Sequence, residues 1–540
     1  MTTSRDSALA AAIACLGQGE WRRARARFQE LAQVLPEEAR VHQGLAVACL
    51  QLGEAEDARA AAARALQLQP SWNQAELALS EAHAALGREA SEQKDWPAAA
   101  EQFRHAIALR PEVGELHCNL AVALLRQGQL TAALEQSQRA LALLPDHAEA
   151  QNTQGTVLQE LGQLKEAEWH YRRALELSPE HAHARSNLGS LQHQRGDLAS
   201  AIRSYRKHLQ IHPGDVRSNV NLAGALLLSG EHTEGWKHYE ARLQQSAAIM
   251  AIPAGLQRWQ GPRESCEDLL LIHEQGYGDA FQFLRYANLL RPHAERLIYQ
   301  GPKKLHGLVL QSGLVDACTP EGEHWTSAQQ RPMRWEALLS LPLRLGATPA
   351  DPLISTPYLR ADPERVAKWR KALVGSGPLV AIHWQGNPEH EMTISRGRSL
   401  PLAALAPLAA VPHVRLLSLQ KGAGSEQLAT CGFSDRFVEA QSLVNVTWDF
   451  AETAAILKAC DLVVTSDSGL AHLAAALGRP TWILLMHIPE WRWGLHGTTT
   501  AWYPSARLWR QPQPGDWARP IERMVQVLTH WAATWGPTSE

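Results

Sequence analysis

Residues 461–485, DLVVTSDSGLAHLAAALGRPTWILL, decide how the C-terminal part of this chain folds. Leu462, Val463 and Val464 have the composition of a short buried strand. Thr465-Ser466-Asp467-Ser468-Gly469 then turns the chain without a bulky side chain. Residues 470–477 carry helical apolar spacing. Gly478 stands where a glycine ends a helix, and Pro480 prevents continuation. Residues 482–485 read as a second strand. The whole is a compact βαβ unit with small polar residues at the strand's C-terminal end and free helix N–H groups beyond it. Unpaired N–H groups and the helix dipole favour an anion there, and open parallel sheets bind ligands at that edge. The same turn also occurs without a ligand, so its meaning depends on the rest of the chain.

The front of the chain follows a different rule. Pro36, Pro70, Pro111, Pro145, Pro179 and Pro213 are spaced 34, 41, 34, 34 and 34 residues apart. Thirty-four is the period of tetratricopeptide (TPR) repeats. Twelve residues before each proline stands an alanine: Ala24, Ala58, Ala99, Ala133, Ala167 and Ala201. Four residues later come Phe28, Phe103, Tyr171 and Tyr205, and Gly155 and Gly189 mark another close approach. About seven units are expected, ending near residue 242, and the 41-residue interval implies about two extra helical turns near residues 72–79. Such a superhelix has a concave groove that suits a peptide or protein segment. Asn119, Asn187 and Asn221 fall at equivalent positions, with Thr153 in the slot between and Asn152 beside it. They are expected to form a ladder for an extended peptide backbone, although asparagine is also common there without a ligand.

Length and composition bound the remainder. A chain of 540 residues can bury large cores. A formal net charge of -3 carries no nucleic-acid or anionic-membrane footprint. The seven cysteines are scattered without a CxxC pair, which suits a reducing compartment and argues against a disulfide framework or zinc site. No apolar run approaches the ~20 residues that span a bilayer, and the N-terminus reads better as a first repeat helix than as a signal peptide. A cytoplasmic location is the resulting expectation.

Past residue 245 the composition changes. Fifteen of the nineteen tryptophans lie beyond residue 230, and β-type apolar runs appear. The expected organisation is a repeat array over 1–245, a linker over 246–265, and two Rossmann-like halves over 266–375 and 376–540. The first half opens with a strand over 268–272, the turn HEQGYGD (273–279), a helix over 280–290, a strand over 296–299 and a helix over 305–311. The second opens with a strand over 379–383 and a long polar loop over 384–399. A helix over 402–409, a strand over 414–419, a helix over 453–460 and the opening βαβ cassette follow, and a helix over 517–535 closes the chain. Two doubly wound halves enclose a cleft at their C-terminal strand edges.

Several stretches resemble bacterial TPR-fused GT-B glycosyltransferases, relatives of the lipopolysaccharide heptosyltransferases and, more distantly, of TPR-containing protein O-GlcNAc transferases. They are EQGYGDAFQFLRY (274–286), HWQGNP (383–388), RGRSLPL (396–402), SLQKG (418–422), SDSGLAHLAAALGRP (466–480), EWRWGL (490–495) and WYPSARLWRQ (502–511). The resemblance implies an α solenoid followed by an α/β GT-B fold, with the acceptor on the first half and the donor on the second. It further implies a nucleotide-sugar donor as substrate, and no metal or other cofactor. TPR-fused flagellin glycosyltransferases share this layout, so a protein acceptor is expected, with flagellin the named candidate. Two other classes stay open: a non-catalytic TPR scaffold with a degenerate transferase half, and a transferase acting on a cell-surface glycan.

Roles follow residue by residue. Asp279, beyond Gly276 and Gly278, fits a general base that deprotonates an acceptor hydroxyl, the role the resemblance gives it; it equally fits a helix cap. Gln282, one turn on, would orient the acceptor. Arg396 and Arg398 end the polar loop, and a leaving nucleotide needs such cations. The resemblance matches Arg398 to a phosphate-binding lysine, while the surrounding EHEMTISRGRS departs from the family pattern and leaves donor identity open. Lys421 and Thr447 are expected on the donor, Thr447 near the base. Ser468 and Gly469 would meet phosphate with backbone N–H groups, and Asp467 would hold sugar hydroxyls. His472 is either a donor contact or a satisfied structural histidine. Trp384, Asn387, Trp491 and Trp493 are expected to line the cleft, although aromatic burial without a ligand is the commoner use of such tryptophans.

Overall fold

The computed structural model describes residues 2–246, 255–322, 332–388, 391 and 397–536. The chain divides into two compact units, Met1–Leu191 and Gln192–Glu540.

The described residues of the first unit fold as successive helix pairs. Most of the helices are 13 or 14 residues long, as in Trp96–Leu109 and Gly114–Arg126. The longest is Asn73–Glu92, with 20 residues. The extra length falls in the 41-residue interval, so the inserted segment lengthens one helix and leaves the neighbouring repeats in register. Ala24, Ala58, Ala99, Ala133 and Ala167 are fully buried where paired helices cross. A Cβ on Gly155 would stand 2.8 Å from the Tyr171 ring, and one on Gly87 2.7 Å from Phe103, so both positions require glycine.

A second device recurs that the consensus positions do not reveal. Residues 19 apart join the two helices of a repeat: His83 Nδ1 with Gln102 at 2.7 Å, His117 Nδ1 with Gln136 at 2.8 Å, and His170 Nδ1 with Gln151 at 2.7 Å. His117 Nε2 also reaches the Pro111 carbonyl, and Gln151 donates to the Pro145 carbonyl. The repeats of His117 and Gln151 thus tie their helix pairs to the proline turn that precedes them. In the second unit Asn219 and His238 repeat the pattern at 2.7 Å, and Asn219 donates to the Pro213 carbonyl.

The second unit contains the last helices of the repeat pattern, Leu198–Ile211, Val216–Ser229 and His232–Tyr239, and two five-stranded sheets. The first sheet comprises β1 (Gln257–Arg258), β2 (Cys266–Ile272), β3 (Ala294–Gln300), β4 (Ala317–Thr319) and β5 (Met333–Ala337), in the order β1-β5-β2-β3-β4. The second comprises β6 (Leu379–His383), β7 (Arg415–Ser418), β8 (Leu462–Ser466), β9 (Thr481–Leu485) and β10 (Ala506–Arg510), in the order β10-β9-β8-β6-β7. Every pairing in both sheets is parallel. The architecture is a TPR solenoid followed by an α/β, GT-B-like pair of doubly wound halves. Gly478 ends its helix at φ +75°, as the opening stretch requires.

Two expected helices are broken, each for a local reason. Residues 280–290 form a helix Tyr277–Phe283, a 3-10 turn Leu284–Tyr286 and a short helix Ala287–Leu290. The Tyr358 hydroxyl donates to the Phe281 carbonyl at 2.6 Å and Arg285 Nε donates to the Gln282 carbonyl at 2.8 Å, drawing both carbonyls toward side chains. Residues 402–409 split into a 3-10 turn Leu402–Leu405 and a helix Ala406–Ala409, because Pro407 lacks an amide hydrogen and crowds the preceding turn.

The final repeat helix is packed into the α/β part. Trp236 Nε1 donates to the Ala347 carbonyl at 2.9 Å. Arg242, 2% exposed, forks onto Glu274 at 2.7 and 3.0 Å. Residues 192–246 therefore complete the second unit, although the repeat pattern continues through them. Where to cut the chain follows from this. A fragment of residues 192–540 should melt cooperatively. A fragment starting at 251 leaves Glu274 buried without its cation, which costs about 3–5 kcal/mol, and should melt many degrees lower or aggregate. Equal melting temperatures for the two fragments would contradict this account.

Candidate active site at the two strand switch points

In each sheet the chain reverses its direction of travel beside one central strand. From β2 it runs outward to β3 and β4, then returns to β5 on the other side of β2. From β6 it goes to β7, then crosses to β8 on the opposite side of β6. A crevice opens at the carboxyl end of the strands at such a point. The segments that leave β2, β6 and β8 there are 273–279, 384–399 and 467–469, which carry most of the expected site residues.

The two halves meet backbone to backbone. A Cβ on Gly278 would stand 3.1 Å from His472 Cδ2 and 3.2 Å from Gly469 Cα. A Cβ on Gly469 would stand 3.3 Å from the Gly278 nitrogen. Helices Tyr277–Phe283 and Gly469–Ala476 thus touch at their first turns, so closely that a Cβ on either glycine would press its neighbour back by a few tenths of an ångström.

Asp279 is held from both sides. Its Oδ2 accepts from the Gly276 amide at 2.9 Å, so it does cap its helix. Its Oδ1 pairs with Arg492, whose side chain is 9% exposed. Arg492 also donates to Gln282 Oε1 and to Glu490. Burial opposes the Arg492 charge, but Glu490 and Asp279 outweigh it and hold the guanidinium's pKa above its ordinary value. Burial pushes the Glu490 carboxyl up to about 7, against the pull of Arg492. Asp467 is also raised by burial, opposed by the Trp493 indole, Arg398 and Arg492.

On the other side of β6, His383 Nδ1 lies 3.3 Å from Ser468 Oγ and 3.4 Å from Thr465 Oγ1. Burial, reinforced by the Arg398 charge, lowers His383 to about 4, so it is a neutral hydrogen-bonding group at pH 7. Arg398 pairs with Glu391 at 3.3 Å and lies across Gly386, where a Cβ would stand 2.8 Å from Nη2. Ser399 Oγ accepts from the Gly386 amide at 2.9 Å. Arg396 lies outside the described residues. Lys421 donates to the Val444 carbonyl and, at 3.3 Å, to Thr447 Oγ1, and burial lowers its pKa to about 8. Trp448, 60% exposed, has Lys304 and Lys421 each 5.9 Å from its ring.

The structure therefore brings Asp279, Gln282, Gly276, Gly278, Asp467, Ser468, Gly469 and Arg398 to one region, with Lys421 and Thr447 paired beside it. Other expected residues are placed differently. Trp384 is fully buried among Val380, Ile382 and Leu402. Trp491, 6% exposed, packs edge-on against Trp236 with ring centroids 5.1 Å apart. Trp493 stacks on His472 at 5.1 Å and 22°, and His472 Nδ1 bonds the Tyr503 hydroxyl at 3.0 Å. Tryptophan's large apolar surface favours these buried packings over a wet wall. His472, with its pKa driven well down by burial, holds the helix against Trp493 and Tyr503. Asn387 is exposed on the loop after β6. In the first unit Asn187 donates to Asn152 at 3.0 Å and to Thr156 at 3.3 Å, and Asn152 is 5% exposed. Asn119 and Asn221, each in its own unit, are half-buried.

Glu490, Arg492 and His383 are functional candidates that sequence reasoning did not single out. EWRWGL did hold a signal: a charged pair interleaved with two tryptophans in an apolar setting.

Residues 435–499 match the family described as glycosyltransferase family 9 (heptosyltransferase). That segment carries Thr447, Asp467, Ser468, Gly469, Glu490 and Arg492. Residues 9–72, 112–180 and 152–216 match tetratricopeptide repeat families. The chain thus carries tetratricopeptide matches in its N-terminal part and a heptosyltransferase match within its second sheet region. It is 28% identical over 336 residues to Protein FlbA of Caulobacter vibrioides, a match covering 57% of this chain and 54% of FlbA, so the likeness spans about half of each protein. Among solved structures it is similar to YrrB, a TPR protein with an unusual peptide-binding site (25% identity, 35% of this chain and 95% of that one, TM-score 0.29). PilF of Pseudomonas aeruginosa is similar at 18% identity, over 40% of this chain and 96% of that one, with a TM-score of 0.31.

Two tests follow from this geometry. Gly278→Ala should destabilise the fold by about 1–3 kcal/mol, because the new methyl group meets backbone and a packed imidazole. Denaturant unfolding checks it, and an unchanged midpoint would contradict the close approach. The second test concerns pH. His193, His273 and His383 are each lowered from 6.5 to about 4 by burial, so the unfolded chain takes up protons first as pH falls below 6.5. Each removes up to about 3 kcal/mol of stability between pH 6.5 and 4. Glu490, raised from 4.5 to about 7, acts oppositely and offsets one of the three. The melting temperature should therefore fall from pH 7 to pH 5; a rise would contradict the burial of these imidazoles.

Proposed function

We propose that this protein is a glycosyltransferase that moves a sugar from a nucleotide-sugar donor to a hydroxyl of a protein acceptor, which the TPR groove selects. The observation that carries the reading is the Gly278–Gly469 contact, which sets a carboxylate from one half beside a helix N-terminus from the other.

The chemistry assigns each group a task. The acceptor oxygen attacks the anomeric carbon of the donor sugar. The bond from that carbon to the nucleotide phosphate oxygen breaks, and the nucleotide leaves with the electron pair. Asp279 takes the hydroxyl proton. Arg398 and the amides at Ser468 and Gly469 stabilise charge on the leaving phosphate. Arg492, already bonded to Asp279, Gln282 and Glu490, orients the carboxylate rather than binding phosphate. The repeats supply a surface for an extended protein segment. Flagellin stays the candidate acceptor that the resemblance to TPR-fused flagellin transferases supplies, and a cytoplasmic setting accompanies it. No helix among the described residues is long and apolar enough to cross a membrane.

A melting-temperature screen with UDP, GDP, CMP and their sugars finds the donor, because a ligand that binds only the folded chain stabilises it. Arg398→Ala should then lose the stabilisation by nucleotide while remaining folded. Asp279→Asn should keep donor affinity and lower the transfer rate on the order of 10²- to 10⁴-fold. Transfer at the wild-type rate by Asp279→Asn would remove Asp279 as the base. A chain that no nucleotide stabilises would favour a scaffold without catalysis.

A further inference from the structure

Residues 236–242, at the end of the repeat pattern, reach Asp279 by two routes. The first runs through Arg242. Its guanidinium is buried and holds Glu274 by two parallel hydrogen bonds at 2.7 and 3.0 Å. It also donates to Ser340 Oγ at 2.8 Å, Glu240 Oε1 at 3.1 Å and the Tyr239 carbonyl at 3.0 Å. Glu274 accepts in addition from the Leu339 amide at 3.1 Å. The next residue, Gln275, has φ +62°, a left-handed conformation that costs a non-glycine residue about 1 kcal/mol and persists only where its neighbours fix it. Gly276 follows, and its amide holds Asp279.

The second route runs through aromatic rings. Tyr239 lies over Arg242 at 4.5 Å, and its hydroxyl reaches Gln275 Oε1 at 3.4 Å. Trp236 and Tyr239 pack edge-on against Trp491 at 5.1 and 6.2 Å. Arg492 lies over the Trp491 ring at 4.3 Å and bonds Asp279. Both supports of the Asp279 carboxylate, the Gly276 amide and the Arg492 guanidinium, are therefore connected through Glu274 and Trp491 to side chains of the last repeat.

We propose that Arg242, together with Tyr239, is a positioning residue for Asp279, so that the terminal repeat is a working part of the transfer site as well as the end of an acceptor-binding array. The kinetic part of this proposal rests on the reading of Asp279 as base. The positioning itself does not. A bidentate Arg–carboxylate pair fixes orientation as well as charge, which suits a group that aims a loop. A lysine would keep the charge and lose the fork.

The test uses the full chain. The double variant Arg242→Met/Glu274→Gln removes both charges together and so avoids an orphaned buried ion. Backbone amide hydrogen exchange is then compared with wild type. Amides of residues 275–280 should exchange at least about tenfold faster, while those of β8 and β9 stay unchanged. Arg242→Lys, which retains the cation should the double variant fail to fold, should accelerate the same amides by a smaller factor. With a donor in hand, kcat should fall on the order of tenfold or more with the donor KM unchanged. Unchanged exchange at 275–280 in a folded variant would overturn the proposal. So would an equal acceleration throughout both sheets, which is what a merely stabilising role predicts. If Asp279→Asn transfers normally, the base assignment fails, and the exchange result still decides the positioning.

Discussion

The α/β part depends on one close approach, that of Gly278 to Gly469. Helices that begin at the carboxyl ends of β2 and β8 come within backbone contact of each other, at a separation that would crowd any Cβ. Neither helix alone makes a site. The first is a seven-residue turn of helix, and the second a short βα unit of a common kind. Their contact sets the Asp279 carboxylate, the Asp467 carboxylate and the Ser468–Gly469 amides around one point. It also explains why His472, Trp493 and Tyr503 are packed as they are: they back the joint with rigid surface.

Charge balance is the second constraint. The joint concentrates carboxylates, Asp279, Asp467 and Glu490, in a region of low solvent exposure. Leaving them unpaired would cost several kcal/mol each or force them to take up protons. Arg492 serves Asp279 and Glu490 at once, yet Glu490 is still pushed up to about 7. A region so balanced is sensitive to one added charge, and a bound phosphate would be such a charge. The buried cation Arg242 is balanced in the same way by Glu274 and Glu240. The two clusters are linked through Tyr239 and Trp491, so the electrostatics of the site extend into the last repeat.

What was legible in the sequence were the features that repeat or that are local. The 34-residue proline spacing gave the helix pairs, and the single 41-residue interval gave the lengthened helix at Asn73–Glu92. The βαβ cassette was readable from its apolar runs, its small turn and Gly478. The helices broken at residues 284 and 406 were not, because Tyr358 and Arg285 act on one through distant side chains and Pro407 on the other through a clash easily overlooked in a short apolar run. The cleft roles given to Trp384 and Trp491 rested on residue type alone, and sequence does not say which face of a loop a tryptophan presents. Arg492 was hidden for the opposite reason. Its partners Asp279 and Gln282 lie more than 200 residues away, and only the fold places them beside it.

The boundary between the repeats and the α/β part shows why a pattern and a folding unit need not coincide. The repeat signature continues to about residue 242 because the helix-pair geometry continues. Compactness changes at residue 192 because the last helices gain partners that the earlier ones lack. Trp236 illustrates the difference: in a free array it would be an exposed indole at the end of a solenoid, whereas here it is 3% exposed, bonded to Ala347 and packed on Trp491. A solenoid needs a cap for its last apolar face. In this chain the α/β part supplies that cap, and in return the repeat supplies Arg242 and Tyr239 to the loop that holds Asp279. The last repeat and the candidate site therefore share structure.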